Sequence, residues 1–278
     1  MEKRISLYTP PFYGTNSYLE MVDICKKYNL DLETINYFEL TEPDFEFAKK
    51  LRKYADERNV KISCCSCSVN LVGDDVDAMK KRAKKFIDIA YILGSPYFHH
   101  TVAVDIRNPD TVLKNRDIYI KRGVEAIAEL YDYAKESGIV TLHEPQGYIF
   151  NGLDGIGAIK ESQRETKVVA DFGNILFVDE KIEDFIPKFA DKIVNVHLKD
   201  YIVLPEGEYE KEKRCQLSVK RNALVDCPLG EGVVDFDRGF AELEKIGYDG
   251  HFALECVPVG DDVATFEKNL EFIKKRIS

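Results

Sequence analysis

The chain has 278 residues, 45% of them hydrophobic and 32% charged, which fits one (β/α) barrel or two ordinary domains with a substantial core. The formal net charge of −10 disfavours a general nucleic-acid binder, because such proteins usually present a basic face to phosphates. No apolar run approaches the roughly 20 residues that span a bilayer, and the polar amino-terminal residues do not form a signal peptide, so we expect a cytoplasmic protein without a membrane partner.

Short runs rich in β-branched and aromatic residues recur along the chain and predict eight buried parallel strands. In chain order, the predicted strands are 4–8, 31–36, 61–65, 97–101, 140–144, 167–171, 193–197 and 251–255. Amphipathic patterns between them predict helices at 17–28, 44–58, 77–93, 117–137, 153–162, 182–189, 236–246 and 263–277. Gly94, Gly138 and Gly247 end three of these helical patterns, as glycine often does at helix carboxyl ends.

Strands that alternate with helices, without a break in composition, predict a single (β/α)₈ TIM barrel over residues 1–278. A doubly wound open sheet is the alternative, but the residues after the first strand form no glycine-rich phosphate loop. The longest irregular stretch is 201–234, after the seventh strand. Its mixed charges fit either a lid that grips an anionic substrate group or a solvated surface loop.

Four consecutive strands end in side chains that bind metals, namely Glu144, Asp171, His197 and Glu255. Barrel enzymes place their active sites at the carboxyl ends of the strands, so we expect these side chains to meet. Three carboxylates and one imidazole form a hard site that suits Mn²⁺, Mg²⁺ or Co²⁺ and also accepts Zn²⁺. Each group alone fits a helix cap or a salt bridge equally well, but three crowded carboxylates would repel one another without a cation.

The segments around these residues resemble the xylose isomerase-like family of sugar phosphate isomerases and epimerases, which also includes inosose dehydratases and hydroxypyruvate isomerases. The resemblance is close in the carboxyl-terminal half and is only a rhythm of strands and helices before it. The matching segments are Thr141-Leu142-His143-Glu144, Ala170-Asp171-Phe172-Gly173-Asn174, His197-Leu198-Lys199-Asp200, 228–232, 234–236 and 246–255.

The resemblance implies that Glu144, Asp171, His197 and Glu255 hold one divalent ion, with Mn²⁺ the first choice. It also implies that Glu144 and Glu255 act as acid and base on opposite faces of a bound sugar. The predicted function is a metal-dependent isomerase or epimerase of a sugar or sugar phosphate, with proton transfer through a metal-stabilised enediolate. We expect Glu255 to be the first base, with an order that depends on the substrate. Family members are often dimers or tetramers, so a homo-oligomer is compatible with this reading.

Two predicted substrate-binding residues come from comparison with the family pattern, one where this chain departs from it and one where it matches. Many family epimerases carry histidine three residues after the aspartate of strand six, where this chain has Asn174. An amide can bond a sugar hydroxyl but cannot titrate near neutral pH. The family also often has an arginine after the histidine of strand seven, and of Arg214 and Arg221 we assign Arg221.

Two further predicted substrate contacts rest on strand alternation. Lys199 shares the face of His197 and could neutralise a developing charge. His99 and His100 end strand four, and alternation sends one inward without deciding which; we assign His100.

Several other residues have weaker assignments. His143 and His251 are interpreted as structural. Residues that could line the pocket are Tyr8, Phe12, Tyr13, Glu33 and Asn36.

Three alternative functions stay open. A dehydratase on the same scaffold would use the same metal and base, and a β-hydroxyl would leave instead of a proton returning. A nuclease for abasic DNA belongs to the same superfamily, but it implies three zinc ions and more than the five histidines present here. A sugar- or metal-binding protein without catalysis would need no pair of opposed carboxylates.

Overall fold

The computed structural model describes residues 4–103, 108–205, 207–208, 215–256 and 262–277. Within these ranges the strands are β1 (Ile5–Leu7), β2 (Asp31–Thr34), β3 (Ile62–Cys67), β4 (Tyr97–His100), β5 (Val140–His143), β6 (Lys167–Asp171), β7 (Ile193–Leu198), β8 (Asp200–Leu204), β9 (Gln216–Leu217), β10 (Ala223–Cys227) and β11 (His251–Leu254). Eight of them close into a barrel in the order β1-β11-β7-β6-β5-β4-β3-β2, and each adjacent pair is parallel. The predicted (β/α)₈ barrel is confirmed.

The helices surround the barrel as predicted, with differences at two places. They are α1 (Tyr18–Tyr28), α2 (Phe45–Asp56), α3 (Val76–Leu93), α4 (Pro109–Lys114), α5 (Arg116–Glu136), α6 (Gly152–Glu161), α7 (Ile182–Phe185), α8 (Phe236–Lys245) and α9 (Asp262–Ile277). A short helix, α4, precedes the predicted helix α5, and the predicted helix 182–189 ends as a 3-10 turn over Ile186–Phe189. Pro187 explains the second difference, because it lacks the N–H that would continue the α-helical hydrogen bonds. Among the described residues, no helix has the length and apolar character needed to cross a membrane.

Two apolar layers hold the barrel. The larger lies between the strands and the helices and includes Phe86, Phe98 and Ile127. The smaller fills the barrel interior with Cys64, Leu142 and Val169. A packed interior of this kind is typical of TIM barrels, and it supports the polar side chains that follow at the carboxyl ends of the strands.

The stretch predicted to be irregular, 201–234, instead contains most of a three-stranded antiparallel sheet in the order β8-β10-β9. The Asp200 carboxylate holds the segment after β10 against the start of β8. It accepts hydrogen bonds from the backbone N–H groups of Tyr201, Gly230, Gly232 and Val234. A Cβ at Gly232 would lie 2.2 Å from Asp200 Oδ1, so the close approach requires glycine there. The strands escaped prediction because runs of only 5, 2 and 5 residues leave little periodicity to detect.

Candidate metal centre

The four predicted metal-binding side chains meet at one end of the barrel. Glu144, Asp171, His197 and Glu255 each offer a ligand atom, and these atoms all lie within 4.8 Å of one another. Asp171 ends β6 and pairs in register with His197 of β7, while Glu144 and Glu255 directly follow β5 and β11. Glu255 is the most accessible of the four, with 19% of its side chain exposed against 3% for Glu144.

The Glu144 carboxylate is held at both oxygens. Oε1 accepts a hydrogen bond from Asn174 Nδ2 at 3.0 Å, and Oε2 lies 2.8 Å from His99 Nε2. Burial favours the protonated form, but the neighbouring His99 and Lys199 outweigh it and lower the pKa of Glu144 below its usual range. These contacts orient Glu144 and favour its ionised form.

Glu255 is held by His197 of β7 and by Lys199, the residue that follows this strand. Lys199 Nζ donates to Oε1 at 2.9 Å, and His197 Nδ1 lies 3.0 Å from Oε2. Burial opposes the charge on Lys199, yet Asp171 and Glu255 raise the pKa of that ammonium well above its usual value. The structure thus places Lys199 beside Asp171 and Glu255, and its predicted contact with a substrate stays a prediction.

Asp171 provides the test of whether these residues fit a metal ion. Its Oδ1 accepts the backbone N–H groups of Gly173 and Asn174, which fixes the carboxylate. Its Oδ2 is buried and receives no hydrogen bond of good geometry, although Lys199 Nζ lies 2.9 Å away. Burial raises the pKa of Asp171 to about 7; Lys199 opposes this rise, and Glu255 and Glu144 add to it. An under-satisfied carboxylate in a crowd of hard oxygen donors fits a divalent cation.

His197 presents its two ring nitrogens to different partners. Nε2 lies 3.1 Å from Glu33 Oε1, whereas Nδ1 faces Glu255 and lies 3.9 Å from Glu144 Oε1. The ring of Tyr8 packs on the imidazole with a centroid distance of 4.6 Å. Both ring nitrogens therefore have carboxylate partners: Nε2 is paired with Glu33, outside the four groups, and Nδ1 faces Glu255, one of the four.

The assignment of His100 to the substrate is corrected by the structure, which places His99 at the site instead. The ring of His99 contacts His197 inside the barrel at a centroid distance of 5.1 Å. His100 lies on the other face of β4, where Nδ1 contacts the Thr101 carbonyl oxygen and the ring stacks on Phe98. In Tyr97-Phe98-His99-His100 each face carries one aromatic residue and one histidine, so alternation could not choose between them.

Arg221 lies in the turn between β9 and β10 and forms an ion pair with Asp110 of α4, at 2.9 Å. The side chain of Arg221 is 45% exposed. Its contact with a substrate stays a prediction, because this ion pair places it beside α4 and not on the four clustered groups.

The weaker candidates divide between the site and its surroundings. His143 contacts the Phe150 carbonyl oxygen and His251 contacts Asp31, so both have the structural environment expected. Phe12 packs on Phe266, Tyr13 is 70% exposed, and Asn36 accepts the backbone N–H of Ser68.

Sequence reasoning missed Asn195 and ranked Glu33 low. The amide of Asn195 donates to both oxygens of Glu33. Asn195 stands two residues before His197, so strand alternation was a usable signal that it shares the same face.

The sequence model of the xylose isomerase-like TIM barrel family matches residues 17–276. The chain belongs to this family. An inosose dehydratase from Geobacillus thermodenitrificans is 28% identical over 136 residues, which cover 48% of this chain and 45% of that protein. The chain therefore matches about half the length of this curated relative.

Solved structures agree in fold over nearly the whole chain. A D-allulose 3-epimerase from Methylomonas sp., in complex with D-allulose, superposes with a TM-score of 0.76 at 18% identity and covers 99% of this chain and 97% of its own. A xylose isomerase-like TIM barrel protein from Mycobacterium smegmatis, in complex with magnesium, has a TM-score of 0.68 at 17% identity and covers 94% and 88%. At these identities the likeness establishes the fold.

Proposed function

We propose that the protein is a divalent-metal-dependent isomerase or epimerase of a sugar or sugar phosphate. One observation carries the proposal: Glu144 and Glu255 come from β5 and β11, on either side of β6 and β7, and reach the same cluster. Two carboxylates that flank a binding point from two sides can exchange protons with two faces of one substrate.

Glu144, Asp171, His197 and Glu255 would hold the ion. Three carboxylates and an imidazole favour Mn²⁺, with Mg²⁺, Co²⁺ and Zn²⁺ as compatible alternatives. When bound, such an ion polarises the substrate carbonyl and stabilises the negative charge of an enediolate. The neighbour of the same fold from Mycobacterium smegmatis was solved in complex with magnesium, which supports a hard cation on this scaffold.

The protein groups supply the proton transfers. Glu255 is the better first base, because it is the more accessible of the pair and Lys199 holds its Oε1. Glu144, held by Asn174 and His99, is the partner on the other side. It must itself be protonated before it returns a proton to the substrate, and His99 Nε2, 2.8 Å from its Oε2, is placed to supply that proton. Return to the opposite face of the same carbon gives an epimer, and delivery to the neighbouring carbon gives an isomer. The nearby cations hold the pKa of each glutamate below its usual value, so both are available as bases in the resting protein.

Asn174 has the chemistry of a substrate contact. Its Nδ2 donates to Glu144, while its Oδ1 is buried and accepts no hydrogen bond from the described residues. A sugar hydroxyl could donate to this oxygen and thereby be positioned beside Glu144. We extend the substrate site to Lys199 and, at the rim, to Arg221.

A dehydratase is the second candidate, and the match to inosose dehydratase favours it. Glu255 would remove the same proton beside a carbonyl. A hydroxyl on the β-carbon would then leave with a proton as water, and a carbon–carbon double bond would form.

One experiment separates these reactions. Purified protein with Mn²⁺ is incubated in D₂O with a panel of ketoses, aldoses, their phosphates and inososes, and the products are followed by NMR. Deuterium incorporation without loss of water identifies an epimerase or isomerase, and loss of water with a new double bond identifies a dehydratase. Unchanged turnover in Glu255→Gln with metal retained would contradict both mechanisms.

A further inference from the structure

A carboxylate that the proposed chemistry does not use lies inside the barrel against the metal centre. Glu33 of β2 is fully buried, with 0% of its surface exposed. Its Oε1 lies 3.1 Å from His197 Nε2, and the Asn195 amide donates to Oε2 at 3.0 Å and to Oε1 at 3.3 Å. Burial of such a charge is unfavourable unless its oxygens are paired, so its presence next to a metal-binding histidine calls for a role.

A second branch leads from Glu33 toward Glu144. The hydroxyl of Ser66 lies 3.4 Å from Glu33 Oε1 and 2.6 Å from His99 Nδ1. The other nitrogen of His99 contacts Glu144. The Glu33 carboxylate thus contacts His197 directly and reaches Glu144 through Ser66 and His99.

We propose that Glu33 is a positioning residue that holds the proton of His197 on Nε2, so that the Nδ1 lone pair faces the metal. The inference rests on the proposed metal site. Metal-binding histidines are commonly fixed in this way, because a carboxylate that accepts one ring N–H sets the tautomer and the ring orientation of the other nitrogen. Asn195 completes the arrangement, since its amide holds the carboxylate from the face of β7 that also carries His197.

A second metal site is the competing explanation for the same residues. Glu33, His99 and His197 also offer ligand atoms within 4.8 Å of one another. However, the oxygens of Glu33 already lie beside the Asn195 amide and the Ser66 hydroxyl, and all three metal-competent residues are 0–1% exposed. Donors around the carboxylate fit a hydrogen-bonded support better than a ligand to an ion.

Asp31 provides a matched control on the same strand. It is a buried carboxylate two residues before Glu33, but it pairs with Arg4 and His251 instead of the clustered groups. Glu33→Ala, Glu33→Gln and Asp31→Asn would be compared with the unmodified protein. Calorimetric titration with Mn²⁺ gives affinity and stoichiometry, the visible spectrum of the Co²⁺ form reports ligand geometry, and thermal unfolding of the metal-free proteins reports folding.

We expect Glu33→Ala to weaken Mn²⁺ binding by about 10- to 100-fold at a stoichiometry of one and to alter the Co²⁺ spectrum. Glu33→Gln should lose less, because its amide oxygen can still accept the Nε2 proton. Asp31→Asn should lower thermal stability without changing the affinity. If Glu33→Ala fails to fold, the difference between Glu33→Gln and Asp31→Asn still decides the question.

Unaltered Mn²⁺ affinity and Co²⁺ spectrum in both Glu33 variants would overturn this inference while leaving the proposed function intact. Two ions in the unmodified protein and one in Glu33→Ala would overturn it in favour of a second metal site. If the unmodified protein binds one ion that Glu33→Ala weakens, yet converts no sugar, the positioning role is supported and only the proposed function fails.

Discussion

Asn174 donates a hydrogen bond from Nδ2 to Oε1 of Glu144 at 3.0 Å, so the segment after β6 orients the carboxylate that follows β5. Removing this donor should leave the Glu144 carboxylate held only at Oε2, by His99, and therefore less well oriented. A hydrogen bond to a charged group contributes about 1.5–3 kcal/mol. We therefore expect Asn174→Ala to lower kcat/KM by roughly 10- to 150-fold, on the scale of a tenfold change per 1.4 kcal/mol. Steady-state kinetics on the substrate identified by NMR check this, and an unchanged kcat/KM would show that the contact does not serve the reaction.

The order of proton transfer predicts different behaviour for the two glutamates. Removing a general base typically costs about 10²- to 10⁴-fold in rate, so Glu144→Gln and Glu255→Gln should both lose turnover. In D₂O, Glu144→Gln should still exchange the substrate proton through Glu255, whereas Glu255→Gln should not. NMR of the recovered substrate tests this, with metal content measured in parallel. Exchange retained in Glu255→Gln and lost in Glu144→Gln would reverse the assignment.

Lys199 compensates the buried carboxylates of Asp171 and Glu255, which it approaches to 2.9 Å each. Removing one partner of a buried ion pair costs about 3–5 kcal/mol, because charge is left uncompensated. We expect Lys199→Met to lower the free energy of unfolding of the metal-free protein by an amount of this order. Added Mn²⁺ should restore much of it. Urea denaturation with and without the ion checks both points, and equal stability of the two metal-free proteins would contradict the prediction.

Asp171 predicts how metal binding depends on pH. Its pKa is raised from 3.8 to about 7, so its proton stabilises the metal-free fold. That contribution is complete below the ordinary pKa and is lost as the pH rises through about 7. A bound cation replaces the proton, so the gain in melting temperature on adding Mn²⁺ should grow between pH 6 and pH 8, on either side of this pKa. Thermal unfolding at several pH values measures this gain. In Asp171→Asn the step near neutral pH should disappear.

Variants of Arg221 and Asp110 distinguish a substrate contact of Arg221 from its ion pair with α4. If Arg221 contacts an anionic group of the substrate, Arg221→Ala should raise KM about tenfold, as expected for the loss of a charge-assisted hydrogen bond. Asp110→Ala should change KM little, because an exposed ion pair contributes at most about 1 kcal/mol. Kinetics of the two variants on phosphorylated and unphosphorylated sugars check this. Equal effects would limit Arg221 to its contact with α4.

Local patterns were sufficient to predict the barrel and the four clustered groups. Parallel strands deliver their carboxyl ends to one rim, so the inward-facing side chains that end consecutive strands meet there. Asp171 and His197 illustrate this, since they pair in register across adjacent strands.

Only the tertiary structure decided which face of β4 turns inward and what lies beneath the cluster. Alternation relates His99 to its neighbours on the strand, but the packing of the whole barrel selects the inward face. Glu33 and His197 are 164 residues apart in sequence, and closure of the barrel brings them together across its interior. The amino-acid order by itself therefore determined the fold and the groups at the rim, while the contacts that orient those groups depend on how distant strands pack.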